Sequence, residues 1–438
     1  MRFDELELSA PVSLPLNRTT PSTVRTPAWT FAPFPVLVSN TWAFRTLLAI
    51  ILATGIALRL FLPAGFTGTG FDENLYRTYI ILLDRVGISH YAALIDAFIA
   101  DQLNPHHMAI LPPTRIFYIV GGYVYHHLFG LAPLSALRAL SCHFSVLTLL
   151  ISILFCWRLT RQPTFTTVVA TLVACAPTQI HLGQHALIDG VFGFWALLVL
   201  WLLWENLQRP NTLALELIFG AALAITVMTK ENAFFVFIAI LGLFGANHWL
   251  HFGWVTRRLV LTTFTGALLG LIIVVVAAGG VEQFALVFEL LKQKVPVLAY
   301  TIKTGGGPWH RYLVDLLLVS PAILILALAN LLAAKRHRSR ADRYLGTFSC
   351  LSYLALTAFP DGMNLRYIVM LDMPLRFLAT TQLFALSRAW GHYRHVLLAL
   401  AVIALCAYDL RQHDVLFVKG NLYELVTEGL IRAQGIIK

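Results

Sequence analysis

Along most of the chain, apolar residues come in runs of about 20 separated by short polar breaks, the length a helix needs to cross a bilayer. The runs fall at residues 43–63, 137–157, 164–179, 186–204, 213–229, 232–249, 259–279, 313–334, 344–360, 365–387 and 395–409. A segment in lipid has to satisfy its own backbone hydrogen bonds, so each run is predicted to be a helix. The pattern describes an all-α polytopic membrane protein with about eleven transmembrane helices. Three further stretches, Tyr76 to Leu83, Tyr91 to Ile99 and Glu282 to Lys294, are amphipathic at helical spacing but too short or too polar to span. They suit helices lying flat at the interface.

Composition agrees with the pattern. Of 438 residues 58% are hydrophobic and only 12% charged, about half the charged fraction of a soluble domain. The net charge of +10 is not a nucleic-acid signature, because basic residues of membrane proteins collect in cytoplasmic loops. Here they cluster at Arg158/Arg161, Arg209, Arg257/Arg258, Lys335 to Arg343 and Arg388/Arg394. This places residues 1–42 as a cytoplasmic tail and 43–409 as the transmembrane domain, with outer loops at 65–135 and 280–312. Residues 410–438 are expected to be a short outer tail, too short for a domain of their own. Between Gly65 and Arg158 the number of crossings must be odd, and 137–157 supplies one. Pro112 to Gly130 is therefore expected to be a tilted or re-entrant interfacial helix. Arg59, near the end of the first span, is expected to snorkel. The five scattered cysteines have neither disulfide nor metal spacing.

An ionisable residue at membrane depth costs about 2.5–3.5 kcal/mol on insertion scales, so each one needs a reason. Asp72 and Glu73 follow the first span in GFTGTGFDENLYR, Asp189 lies in HALIDGVFGFW, and Lys230 and Glu231 lie in VMTKENAFF. Asn364, Arg366 and Tyr367 lie in DGMNLRYIVM, and Arg138 opens the second span. By the predicted topology they share the outer side. A carboxylate pair with several cations suits a substrate that has an anionic group and a hydroxyl to be activated. Asp372 and Arg376, four residues apart, are better read as a self-neutralising structural pair. The histidine pairs His106/His107 and His126/His127 lack an HExxH pattern, and adjacent helical residues face different sides, so no metal is expected. No strand precedes GTGFDE, which argues against nucleotide binding. A lipid or sugar transporter or flippase is the alternative class. It would favour related halves and mid-bilayer charges, and this chain shows no repeat.

These residues resemble the GT-C class of membrane glycosyltransferases, closest to the branch of aminoarabinose transferases and protein O-mannosyltransferases. The resemblance is carried by Asp72-Glu73 with Tyr76, Pro112-Pro113 before Phe129-Gly130, Arg138, Asp189 in His-Ala-x-x-Asp, Thr229-Lys230, Pro308-Trp309 and Asn364-Leu365-Arg366-Tyr367 with Pro374. It implies a sugar donor on a polyprenyl phosphate, Asp72 as general base, and Glu73 and Asp189 orienting the acceptor or bracketing the site. Lys230 and Arg366 would hold the lipid phosphate, with Tyr367 as a hydrogen-bond donor, Arg138 as a further cation and Tyr76 beside the site. The chain departs from the branch at Leu75 and Leu111, where basic residues are usual; Arg77 and Arg115 stand nearby. The expected partners are the lipid-linked sugar, membrane lipids and a lipid, glycan or protein acceptor met by the outer loops alone. No cofactor or metal is expected, and the compact chain points to a bacterial inner membrane.

Overall fold

The first apolar run forms α1 (Thr41–Leu60), and the polar stretch after it folds into α2 (Phe71–Val86), α3 (Ala92–Leu103) and α4 (Ile116–Phe129). Then come α5 (Pro133–Thr160), α6 (Pro163–Ala174), α7 (Pro177–Gln184), α8 (Ile188–Gln208), α9 (Leu213–Thr229), α10 (Ala233–Leu250) and α11 (Arg257–Ala277). The last third holds α12 (Val281–Lys294), α13 (Arg311–Val319), α14 (Pro321–Leu332), α15 (Arg340–Thr357), α16 (Asp372–Ser387), α17 (Arg394–His413) and α18 (Thr427–Ala433). This computed structural model describes residues 41–61, 68–104, 111–208, 212–298, 301, 306–333, 339–359 and 363–437. Among them every regular element is a helix or helical turn. The expected tail over 1–42 lies almost wholly outside the described residues, as do His106 and His107.

The expected spans map onto helices, with two breaks the periodicity does not foresee. Among the described residues, six helical runs are long and apolar enough to cross alone, or seven if the bent pair α6–α7 counts as one. Length and apolarity thus account for six or seven crossings rather than eleven. α9 and α14 are apolar but shorter. The run 164–179 is not one helix: α6 and α7 meet at 52°, because Pro177 opens a new helix and cannot continue the old one. The break strands the last carbonyls of α6 inside the bundle. Arg59 fills that gap, donating to the carbonyls of Ala174 at 3.2 Å and Val173 at 3.3 Å and to Ser145 Oγ at 2.8 Å. It is only 2% exposed, so it does not snorkel. In the same way Pro321 splits the run 313–334 between α13 and α14, and the run 365–387 opens as a 3-10 turn over Leu365–Leu371.

Capping and small residues set the rest. Ser339 caps α15 by accepting from the amide of Asp342 at 3.0 Å, and Asp342 accepts back from the Ser339 amide at 2.9 Å, a reciprocal box. α9 and α11 cross closely because Gly266 lies on Gly220, where any Cβ would fall 2.6 Å from the Gly220 carbonyl oxygen. Small residues let membrane helices approach in this way. At 14 residues, α4 reaches about 21 Å, short of a hydrocarbon core. It runs beside α2 in the same direction, with Arg115 near Tyr76 at one end and His127 near Asp84 at the other. The 282–294 segment is a helix as predicted, α12, which packs on α3.

Candidate active site

The N-terminus of α2 orients the first two acids differently. Neighbouring helical residues point about 100° apart, so one enters the bundle and the other faces its end. Glu73 is the one turned in. It is fully buried and accepts from the amides of Gly70 at 2.9 Å and Ala186 at 2.6 Å and from Arg138 Nε at 3.2 Å, with His185 Nδ1 at 3.4 Å. Burial alone would raise its carboxyl. His185, the Ala186 amide and Arg138 outweigh burial and bring it down to about 2. These bonds make Glu73 the anchor of the α2 N-terminus, and its contacts are all to protein groups of the α2, α5 and α7 ends. Arg138 is tied to Glu73 and to the carbonyl of Gly68 at 3.1 Å. Asp72 is left facing outward, its side chain 15% exposed, in a first turn where the helix dipole favours a carboxylate.

Four other elements bring charges to Asp72. Arg366, from the 3-10 turn, places NH1 3.1 Å from Asp72 Oδ2 and 3.9 Å from Asp189 Oδ2. Its NH2 lies 2.8 Å from Glu424 Oε2, and its amide is held by Asn364 Oδ1 at 3.0 Å. Asp189 stands in the first turn of α8 and pairs with Lys230, which follows α9. The Lys230 ammonium sits 4.2 Å from the ring centre of Tyr367, a cation–π contact. Tyr367 therefore supports Lys230 with its ring face. Arg115, just before α4, holds Glu231 through bonds of 3.0 to 3.1 Å and donates to the hydroxyl of buried Tyr76. Asp72, Asp189 and Glu424 thus face Arg366 and Lys230, three carboxylates to two cations.

The sequence reading brought Asp72, Asp189, Lys230, Arg366 and Tyr367 to one place, and they are together. It did not foresee that Asp72 and Asp189, with Glu424, would be the partners of Arg366, a residue the resemblance assigned to a phosphate. It also missed Glu231 as the partner of Arg115, and the terminal residues Tyr423 and Glu424 altogether. Glu231 had one signal, its place next to Lys230. Glu424 had none, since nothing local separates it from a solvated tail acid. Burial holds its carboxyl above the usual range despite the pull of Arg366. The Tyr423 ring packs against Gly70, where any Cβ would come 1.9 Å from it. The tail beyond 410 is thus a wall of the site, against the expectation that outer loops alone supply it.

Two cavities flank the cluster. One, of about 530 Å³, has Thr114, Arg115, Lys230 and Glu231 at its polar end. Its remaining wall is apolar, with Phe234, Phe237, Phe264, Leu268, Phe284 and Phe288 from α10, α11 and α12. The other, of about 150 Å³, lies between Gly68–Gly70, His185 and Asn421–Tyr423. Among the described residues, Asp84, His126 and His127 could hold a metal ion, their donor atoms all within 4.8 Å of one another. They lie at the far ends of α2 and α4 from Asp72, half-exposed, with His127 and Asp84 already paired at 2.9 Å.

Residues 121–292 match the dolichyl-phosphate-mannose-protein mannosyltransferase family. That stretch includes Arg138, Asp189 and Lys230 and leaves out Asp72 and Arg366. No curated protein matches the sequence. Among solved structures the chain is similar to apo ArnT from Cupriavidus metallidurans, at 16% identity and TM-score 0.50 over 86% of this chain and 65% of that one. It is also similar to the oligosaccharyltransferase AglB from Archaeoglobus fulgidus, in complex with an inhibitory peptide and a dolichol-phosphate, at 16% identity and TM-score 0.52. That likeness covers 85% of this chain and 55% of AglB. The chain therefore spans less than two thirds of either relative. This multi-pass membrane chain has the fold of the GT-C glycosyltransferases and carries the mannosyltransferase family pattern over residues 121–292.

Proposed function

We propose that the protein is a membrane glycosyltransferase that moves a sugar from a polyprenyl phosphate to an acceptor hydroxyl. The carrying observation is the adjacency of Asp72's charge cluster to an apolar groove with cations at its polar end. An isoprenoid chain fits the aromatic and aliphatic wall of α10, α11 and α12, and its phosphate then meets Lys230 and Arg115. The family pattern over residues 121–292 and the dolichol-phosphate held by AglB support this donor class.

The acceptor oxygen attacks the anomeric carbon as Asp72 takes its proton. The bond from that carbon to the phosphate oxygen breaks, and its electron pair leaves with polyprenyl phosphate. Fixed cations in a site shielded from water stabilise that developing charge. Lys230 is the first candidate and Arg115 the second, since both stand at the polar end of the apolar groove, which Arg366 does not line. Two side-chain cations meet the need without a metal. Asp189 holds Lys230 in place, and Tyr367 supports it from below. The sugar and the acceptor are left to the assay below, and the proposed location is a bacterial inner membrane with the site on the outer side.

The test is release of polyprenyl phosphate by purified protein in liposomes, given a panel of polyprenyl-phosphate sugars and crude envelope as acceptor. Asp72→Asn is expected to lose at least about 100-fold in rate while eluting as folded protein. Equal release by the two proteins would remove Asp72 from the chemistry.

A further inference from the structure

After α17 a π-turn over Asp414–Lys419 leads into an irregular stretch, residues 420–426, that crosses the site before α18. The stretch is pinned from several sides. The Leu365 amide donates to the Leu425 carbonyl at 3.0 Å, and Asn364 Nδ2 donates to Glu424 Oε2 at 2.7 Å. Thr427 Oγ1 donates to Asp315 at 2.7 Å and accepts from Arg311 Nε at 2.9 Å. Leu425, Val426 and Leu430 are buried. Tyr423 covers Gly70 and meets His185 edge-on, its ring centre 5.2 Å away.

Held this way, Glu424 sits on NH2 of the guanidinium whose NH1 holds Asp72. Two carboxylates on one cation do not titrate independently. Each takes part of the same positive charge, and each raises the other's affinity for a proton. Asp189 also faces this guanidinium, but Lys230 neutralises it from behind. On the α2 side, Glu73 pairs with His185 and Arg138, and Arg115 pairs with Glu231. Glu424 is therefore the carboxylate that competes with Asp72 for Arg366. Without it, Asp72 would hold the guanidinium nearly alone.

Resting on the glycosyl-transfer reading, we propose that Glu424 is a positioning carboxylate of the active site that divides the charge of Arg366 with Asp72 and so holds the guanidinium with its other edge toward Asp72. Residues 420–427 then belong to the catalytic apparatus, although they follow the last membrane helix.

Glu424→Gln keeps the shape and an acceptor for Asn364 while removing the charge. Protonation of Asp72 is read by infrared titration of the purified protein in liposomes, with Asp72→Asn assigning the band, beside the pH profile of polyprenyl phosphate release. In Glu424→Gln, removing the neighbouring negative charge is expected to move the Asp72 titration to lower pH. The acid limb of kcat/KM moves the same way, and its plateau drops roughly three- to tenfold. Glu424→Asp, which keeps the charge, moves the titration back toward wild type. An unchanged or raised Asp72 titration in folded Glu424→Gln overturns the proposal. The infrared reading needs no turnover, so a wild type that releases nothing would sink the glycosyl-transfer reading while the spectrum still decided the coupling.

Discussion

Two buried arginines, ten residues apart in sequence, sit in networks that look alike and do different work. Arg376 pairs with Asp372 at 3.1 Å and with Asp409 at 2.7 Å, and Asp409 also accepts from Ser320 Oγ at 2.9 Å. Arg366 pairs with Asp72, Glu424 and, more distantly, Asp189. Both arginines are almost wholly enclosed, at 1% and 3% exposure. Asp409 is 2% exposed and Asp372 18%, whereas Asp72 and Glu424 keep 15% and 26% of their side-chain surface open, so exposure of a single partner does not separate the networks; what lies beside them does. Among the described residues, the second network has beside it the cavities bounded by Lys230 and by Gly70 and Tyr423. A buried arginine with carboxylates is thus not in itself a sign of chemistry; it is the neighbouring groove that sets the Arg366 network apart as a candidate.

The largest effect expected from breaking this contrast is at Arg376. Arg376→Ala leaves Asp372 and Asp409 without their cation, which for a buried pair costs about 3–5 kcal/mol. Folded yield in detergent should collapse. A variant with wild-type thermal stability would show that this network is as dispensable to the fold as Asp72 is expected to be.

Glu73 comes next, because it separates anchoring from catalysis within one dipeptide. Its carboxyl is held down to about 2, so its stabilisation is complete above the ordinary carboxylate range and is lost as pH falls through about 2. The shift corresponds to on the order of 3 kcal/mol. Glu73→Gln should lower thermal stability at neutral pH, and its gap to wild type should close between about pH 4.5 and 2. A gap that does not change with pH would deny the carboxylate its anchoring charge.

The smallest effect tests the groove. Leu268→Trp narrows the apolar wall without touching a charged group. The apparent KM for a polyprenyl-phosphate sugar should rise several-fold, about 1 kcal/mol of lost binding, with kcat little changed. An unaltered KM would put the lipid elsewhere.

Much of this was legible in advance because a bilayer leaves a chain few choices. Runs of about 20 apolar residues must be helices, and an ionisable residue beside one needs a reason. Asp72, Asp189, Lys230 and Arg366 could therefore be singled out from residue type and position. What remained hidden depends on contacts across the chain. The helix break at Pro177 is local, but that Arg59, 115 residues before Ala174, answers it is not. Glu73 and Asp72 are equivalent in sequence; the Ala186 amide and His185 make one an anchor and leave the other open. Glu424 lies 58 residues beyond Arg366 in a stretch with no apolar period, and only the folded C-terminal wall places it on that guanidinium. The sequence by itself determined that the chain is helical and rich in membrane-spanning segments, and which charges need explaining. Tertiary structure decided which of those charges neutralise one another and which face a cavity, because a pairing is set by separations in space that no local spacing encodes.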